Sequence, residues 1–457
     1  MRALVSLSVI SRIDWALAAK EASAKNPADK MLTIDLRIAE LTFAPILKKG
    51  HRNKTPNIAF MAPKSRKLGT LMALSQEFDA LRPFYAMEIL AAAKSKEAEG
   101  IEVSHLEVGE PGAQVAPEVR EAVADAVMNI RQGYTHAKGN LSLRNALVDY
   151  YRSRHKAIVD PEDIIVTNGS SAGFTLAFLS AFEKGAKIAV TRPGYPAYLN
   201  ILSSLGFEPV EIELSADDAW RLDGDMLREA HAQNPFDGLL LASPANPTGA
   251  MIEAGEFHEI MAACEELSVR FISDEIYHGL SHGMNESSAL EFGKDAIVIN
   301  SFSKYYCMTG WRLGWMVLPK DLVRRTEIIA QNMFISAPSL SQIAGEVALG
   351  CRDYYDVQKA QYTSNGALFS RALTEMGFGS VQQSDGAFYA YADISEFSND
   401  SVEFCQKLLE RGDVAATPGI DFDRVNGHRF VRFSYAGSKE MIEDAIEKMA
   451  GFLSRPL

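Results

Sequence analysis

Residues 163–193 read DIIVTNGSSAGFTLAFLSAFEKGAKIAVTRP, and the change of rhythm inside that stretch decides the fold. A short β-branched run, Ile164 to Thr167, breaks at Asn168-Gly169. A longer apolar run then reaches Phe182, and a second β-branched run, Lys187 to Arg192, stops at Pro193. Four to six Ile/Val-rich residues bounded by Gly, Asn or Pro predict a buried strand, and a dozen residues without such breaks predict a helix. Downstream, AYLNILSSLG, EPVEIEL, DGLLLASP, FHEIMAACEEL, VRFISDEIY and AIVINSFSK keep the exchange going. The alternation predicts an α/β fold. Its large domain should be three-layered, with a mainly parallel, doubly wound sheet and ligands at the carboxyl ends of the strands. Upstream, PEVREAVADAVMNIRQG places Pro117 in a first turn, Val119, Val123, Val127 and Ile130 at helical spacing, and Gly133 as a stop. Beyond about residue 345 the helices lengthen, and GAFYAYADI with HRFVRFSYAG predicts a smaller α+β domain. The expected division is an N-terminal extension 1–77, an N-terminal part of the small domain 78–125, a large cofactor-binding domain 126–345 and the C-terminal small domain 346–457.

Composition removes other classes. The 457 residues carry a formal charge of −13, with 47% hydrophobic and 23% charged residues, which argues against disorder and against a polybasic nucleic-acid binder. No run of 18 apolar residues suggests a membrane span. Cys264, Cys307, Cys351 and Cys405 are scattered without a C-x-x-C pair, so neither a disulfide scaffold nor a zinc module is expected, and a cytoplasmic location fits. The charge is uneven: residues 1–75 are net +8 and the rest net −21. From Leu41 to Gln76 no acidic residue occurs, and the segment reads as a basic, poorly ordered linker. The apolar start MRALVSLSVI is cut by Arg12 and Asp14, which disfavours a signal peptide. Met61 or Met72 is an alternative beginning of the protein.

The polar residues at the strand ends carry the chemistry. Asn168-Gly169-Ser170-Ser171-Ala172-Gly173 opens a helix and offers free N–H groups to an anion, or simply caps and packs. Ala245-Asn246-Pro247-Thr248-Gly249 is a turn that Asn246 can cap. Asp274, in Asp274-Glu275-Ile276-Tyr277, ends an interior strand, where a buried carboxylate needs a proton or a positive partner. Lys304 ends Ser301-Phe302-Ser303-Lys304. Arg312 follows eight residues later among small residues, a fork suited to phosphate. Arg432, inside the apolar strand FVRFS, requires either an acidic neighbour or a ligand carboxylate.

Together, an imine-forming lysine, a carboxylate able to keep a pyridine nitrogen protonated and a phosphate cradle describe pyridoxal phosphate. From about residue 78 onward the sequence resembles the class I and II, fold-type-one, pyridoxal-phosphate aminotransferases. The resemblance rests on GEP (Gly109 to Pro111), YTHAKGNLSLR, NGSSAG, RPGYPAY, SPANPTG, SDEIYHGL, SFSKYYCMTGWRLGW, DGAFY, TPGIDF and RFSYA. It implies that Lys304 holds the cofactor covalently, that Asp274 faces the pyridine nitrogen, and that Tyr277 and Asn246 bond the ring hydroxyl. Tyr195 is implied against the ring face. Ser170, Ser171, Ala172, Ser301, Ser303 and Arg312 are implied as the phosphate cup. Arg432, helped by the backbone at Gly109 and by Asn246, is implied to clamp the substrate α-carboxylate, with Gly419 in the nearby loop. Tyr134 is implied to reach the partner subunit's site, hence a homodimer. The implied activity is ping-pong transfer of an amino group from an L-amino acid to a 2-oxo acid, with 2-oxoglutarate expected.

The turn Gly109-Glu110-Pro111-Gly112-Ala113 lacks the acid and aromatic that often follow GEP in the family. Ser171 stands where an aspartate-using subgroup carries a lysine, so aspartate, aromatic and aliphatic donors all stay open. Two other readings remain: a β-lyase or decarboxylase on the same fold, and a cofactor-sensing transcription regulator whose DNA-binding part would be the basic N-terminus. No metal is expected, because Gly279 and Gly283 interrupt any helix that could aim His278 and His282 at one ion. Cys307 reads as a small packing residue. Trp311 and Trp315 read as packing around Arg312 in a strand.

Overall fold

The computed structural model describes residues 83–381 and 384–455, all within one compact unit. The extension 1–77 and the alternative starts lie outside the described residues. In chain order come α1 (Tyr85–Ala98), β1 (Ser104–His105), α2 (Pro117–Asn129) and α3 (Leu141–His155). Strand and helix then alternate through β2 (Ile164–Thr167), α4 (Ser170–Ala181), β3 (Lys187–Arg192), α5 (Pro196–Leu205), β4 (Glu208–Glu213), α6 (Gly224–Gln233), β5 (Gly238–Ala242), α7 (Ala254–Leu267), β6 (Arg270–Asp274), β7 (Ile297–Ser301) and β8 (Gly314–Val317). Three helices follow: α8 (Lys320–Met333), α9 (Ser339–Gly350) and α10 (Arg352–Met376). After them come β9 (Tyr389–Asp393), α11 (Ser401–Gly412), β10 (Val414–Ala415), β11 (Thr417–Pro418), β12 (Phe430–Ser434) and α12 (Lys439–Leu453).

Seven strands form one sheet in the order β2-β8-β7-β6-β5-β3-β4. The pairs from β4 to β7 are parallel, and β8 runs antiparallel to β2 and β7. Side chains of a strand point to opposite faces in turn, and both faces here are apolar. Ile164, Val166, Leu239, Leu241, Val298 and Trp315 join a cluster with Leu147 and Tyr151 of α3 and Phe257 and Ile260 of α7. The intervening Ile165, Leu240, Ile272, Ile299 and Met316 join Phe174 and Phe178 of α4, Leu202 of α5 and Leu322 of α8. The sheet is therefore the middle of three layers, as the continuous apolar runs predict. Trp315 is fully buried and its Nε1 donates to Tyr151 Oη at 2.9 Å, so truncating it to alanine costs about 3–5 kcal/mol.

A second, antiparallel sheet, β11-β12-β9, packs with α10 and α11, α12 packs on those two helices, and β1 pairs in parallel with β10, which ties the chain before α2 to this C-terminal part. The expected boundaries at 125/126 and 345/346 both fall inside helices, α2 and α9.

Two local expectations change. Helix α2 ends at Asn129, short of Gly133, and Val127 and Ile130 are exposed. Steps of four residues drift about 40° each around a helix of 3.6 residues per turn, so Val127 leaves the buried face that Val119 occupies, and Ile130 lies past the last helical residue. Trp311 and Arg312 belong to a 3-10 turn and its cap rather than to a strand, which begins only at Gly314.

Candidate active site

The register places the chemistry at one edge of the large sheet. Asp274 lies opposite Ala242, and Ser301 and Thr167 both lie opposite Gly314. The loops after β2, β3, β5, β6 and β7 therefore open on the same side as the turn before β8. A cavity of about 250 Å³ lies there.

Lys304 follows β7, and its Nζ donates to the Gly109 carbonyl at 2.6 Å. Burial and then the charge of Arg432 pull its amine down to about 8, with Glu110 opposing. Asp274 is 2% exposed. Its carboxylate accepts from the Tyr198 hydroxyl and from the Ile276 N–H at 3.1 Å, and no side-chain cation bonds it among the described residues. Burial outweighs those bonds and pushes its carboxyl up to about 6. Tyr277 shares a 2.7 Å hydrogen bond with Tyr389, and burial holds its phenol well above the ordinary range. Burial likewise raises Tyr195, to about 12.

The anion cup is built by backbone geometry. Gly169, at φ +82°, caps α4, and a Cβ there would sit 2.6 Å from Arg312 Nη2. Glycine thus lets the guanidinium lie over the helix N-terminus, where free N–H groups and the helix dipole attract an anion. Arg312, itself at φ +52°, is fixed by Nη1 donating to the Thr309 carbonyl at 2.8 Å.

Arg432 is 2% exposed, and none of its partners is a carboxylate. Nη1 donates to Asn246 Oδ1 at 3.1 Å, and Nη2 donates to the Glu107 carbonyl and to Thr417 Oγ1 at 3.3 Å. The guanidinium lies over the rings of Tyr389 and Phe422 at 4.5 and 4.8 Å, and its buried Nε has no partner among the described residues. An unpartnered, buried guanidinium N–H suits a ligand carboxylate. A primary amine, a buried acid beside it, a helix N-terminus under a guanidinium and this second guanidinium fit pyridoxal phosphate and an amino acid.

Gly109, Ser170, Ser171, Tyr195, Asn246, Asp274, Tyr277, Ser303, Lys304, Arg312 and Arg432 line the cavity. Four expected residues do not. Ala172 is buried one residue further along α4, and Ser301 is buried with its Oγ donating to the Leu313 carbonyl at 3.0 Å. Gly419 is buried at the start of the 3-10 turn that carries Asp421 and is not itself in the lining, and Tyr134 is 84% exposed on the surface. Sequence reasoning missed Tyr198, one helical turn beyond Tyr195, and Tyr389 of DGAFY, whose hydroxyl leaves no room for a side chain at Gly109. It also missed Glu110, which accepts from Thr309, and the wall of Phe84, Ala86 and Met87. Asp421 holds that wall by accepting from Tyr85 and Ala86 N–H at 3.3 and 3.4 Å.

His278 and His282 do not converge. His282 bonds Thr363 Oγ1 at 2.8 Å and the Ala387 carbonyl at 2.6 Å. Burial pushes the Cys307 thiol up to about 12, in keeping with a packing residue.

The chain matches the family model of aminotransferase class I and II over residues 101–449. It is 42% identical to a valine–pyruvate aminotransferase of Mycobacterium tuberculosis, over 81% of this chain and 96% of that one. It is 33% identical to a (5-formylfuran-3-yl)methyl phosphate transaminase of Methanocaldococcus jannaschii, over 84% and 100%. It also superposes on the crystal structure of an aminotransferase from Mycobacterium tuberculosis with a TM-score of 0.80 at 41% identity, covering 82% of this chain and 98% of that one. Sheet order, strand-end chemistry and these likenesses agree: the chain belongs to the class I and II aminotransferase family and is an enzyme of the transaminase class.

Proposed function

We propose that this enzyme uses pyridoxal 5'-phosphate to move the α-amino group of an aliphatic L-amino acid to a monocarboxylic 2-oxo acid, in two half-reactions at one site. The observation that carries the reading is the Lys304 amine, lowered to about 8 and set among Gly109, Asp274 and Arg432 in one cavity. When bound, the cofactor supplies an aldehyde that takes the amino group and a heterocycle that accepts the electrons released at the substrate's α-carbon. Asp274 keeps a proton on the ring nitrogen, in a setting where burial makes an unpaired carboxylate costly. Tyr277 and Asn246 orient the ring hydroxyl, and Tyr195 covers the ring. Ser170, Ser171, Ser303 and Arg312 hold the phosphate, with Ala172 in the first turn of α4 and Ser301 at the end of β7 packed behind them. Arg432 fixes the α-carboxylate, and Lys304 Nζ takes the α-proton and returns it on the other side of the exchange.

The side-chain class follows from what the cavity has left. Its cations, Lys304, Arg312 and Arg432, are committed to amine, phosphate and α-carboxylate. The remaining wall of Phe84, Ala86 and Met87 is apolar, and Glu110 repels a distal carboxylate. One site serves both halves, so the same argument favours pyruvate over 2-oxoglutarate as acceptor, in line with the name of the Mycobacterium tuberculosis relative. A homodimer with Tyr134 reaching the other subunit is supported by an exposed apolar group, Val127, Met128, Ile130, Tyr134 and Leu141. Four free cysteines suit a reducing cytoplasm.

The test supplies L-valine with either pyruvate or 2-oxoglutarate and quantifies every product. The expected result is alanine formed one-for-one with the branched 2-oxo acid, and slower turnover with 2-oxoglutarate or aspartate. Ammonia or carbon dioxide without a new amino acid would replace the reading with a lyase or decarboxylase.

A further inference from the structure

His278, one residue beyond Tyr277, belongs to a buried polar nest that the transamination chemistry does not use. His155, the last residue of α3, meets it there: both histidines are 4% exposed, and their ring centroids lie 5.1 Å apart. Each ring keeps one buried nitrogen without a hydrogen-bond partner among the described residues, Nε2 of His155 and Nδ1 of His278. The outer contacts of the two rings are made. His155 Nδ1 lies 3.1 Å from Glu291 Oε1, and the His278 ring faces the Ser243 carbonyl. Glu286 completes a triad in which one potential ligand atom from each residue lies within 4.8 Å of the others. Its carboxylate is aimed by the Gly279 N–H at 2.8 and 2.9 Å and by Ser281 Oγ at 3.1 Å. None of the three residues lines the cavity at Lys304.

Two imidazole nitrogens without partners, each on a ring anchored through its other side, beside an oriented carboxylate, are the donors and outer contacts of a metal site. Charge points the same way. The carboxylates of Glu275, Glu286 and Glu291 gather around the rings, and Glu275 Oε2 approaches His278 Nδ1 to 3.4 Å. Against them, Arg154, whose guanidinium lies over the Tyr305 ring, brings positive charge. We propose that His155, His278 and Glu286 bind a divalent metal ion of the zinc type. Tetrahedral zinc with bonds of about 2.0 Å spaces its donors roughly 3.3 Å apart. Binding therefore draws the end of α3 and the loop after β6 together, a tie for the segment that carries Asp274 and Tyr277.

The test uses the full chain loaded with pyridoxal phosphate, stripped by a chelator, reloaded with cobalt(II) and gel-filtered. The expected result is one retained cobalt per chain with the intense visible absorption of a four-coordinate site, and a thermal unfolding midpoint that rises with metal concentration. His278→Ala and Glu286→Gln should each weaken retention by more than about tenfold, and His282→Gln should retain the ion. Glu286→Gln preserves side-chain shape and serves where the alanine variant does not fold. A wild-type chain that retains no cobalt, or retention indifferent to Glu286→Gln and His278→Ala, overturns the proposal and leaves the nest to protons shared between the histidines and acids. Either outcome is independent of amino transfer, which is read separately.

Discussion

Asp274 and Glu275 are consecutive residues at the end of one strand, both buried and both pushed up by burial, to about 6 and about 7, yet they serve different regions. Asp274 has two donors, Tyr198 and the Ile276 N–H, and opens on the cavity. Glu275 is enclosed by protein donors: Ser273 Oγ at 3.3 Å, Ser288 Oγ at 2.9 Å and the Ala289 N–H at 3.0 Å. The pocket side leaves buried charge to be completed by a ligand. The far side completes it from within the chain, apart from the two histidine nitrogens. A raised carboxyl is therefore not by itself the mark of the active site; what its donors leave open is.

The sharpest break in that comparison is expected from Lys304→Ala, which should lower turnover by more than about 10⁴-fold, measured in single-turnover assays. Next comes the paired test of the two acids. Asp274→Asn should cost about 10²-fold or more in turnover, and Glu275→Gln less than about tenfold. Equal losses would erase the distinction. Stability should move the opposite way for Asp274. Its native pKa lies above the unfolded value of about 3.9, so the cofactor-free protein loses stability as pH rises from about 4 to about 6 and carries the full cost above that, about 3 kcal/mol. Cofactor-free Asp274→Asn should consequently be more stable than wild type at pH 8 and indistinguishable near pH 3.5, read by denaturant titration.

Arg432→Ala should raise the KM for the amino acid by about 10- to 100-fold, from charge-assisted bonds of about 1.5–3 kcal/mol. An unchanged KM would take Arg432 out of the carboxylate clamp. The smallest expected effect is Tyr389→Phe, which removes one hydroxyl beside Tyr277 and should change kcat by about fivefold, the worth of about 1 kcal/mol.

Much of this was legible along the chain because strand ends are local events. The apolar runs from Ile164 to Ser301 stop at glycine, proline, small polar or charged residues, and the parallel register then carries those stops to one edge. Contacts made between distant segments were not legible. Tyr389 meets Tyr277 from a different sheet, and Phe84 and Met87 reach the cavity from a helix start that Asp421 holds from far along the chain. His155 and His278 lie 123 positions apart, so spacing around His278 pointed to His282 instead. Tyr198 was within reach, since Tyr195 and Tyr198 are three apart on one helix start and meet edge to face at 5.3 Å. The helix stripe at Val127 misled because four-residue spacing resembles burial until its drift accumulates.

The central claim is that the amine of Lys304 carries the cofactor beside the acid of Asp274. Saturating the purified protein with pyridoxal phosphate, reducing it with borohydride and mapping the peptides by mass tests this directly. One stable adduct per chain is expected, on Lys304; an adduct on another lysine, or none, would overturn the assignment.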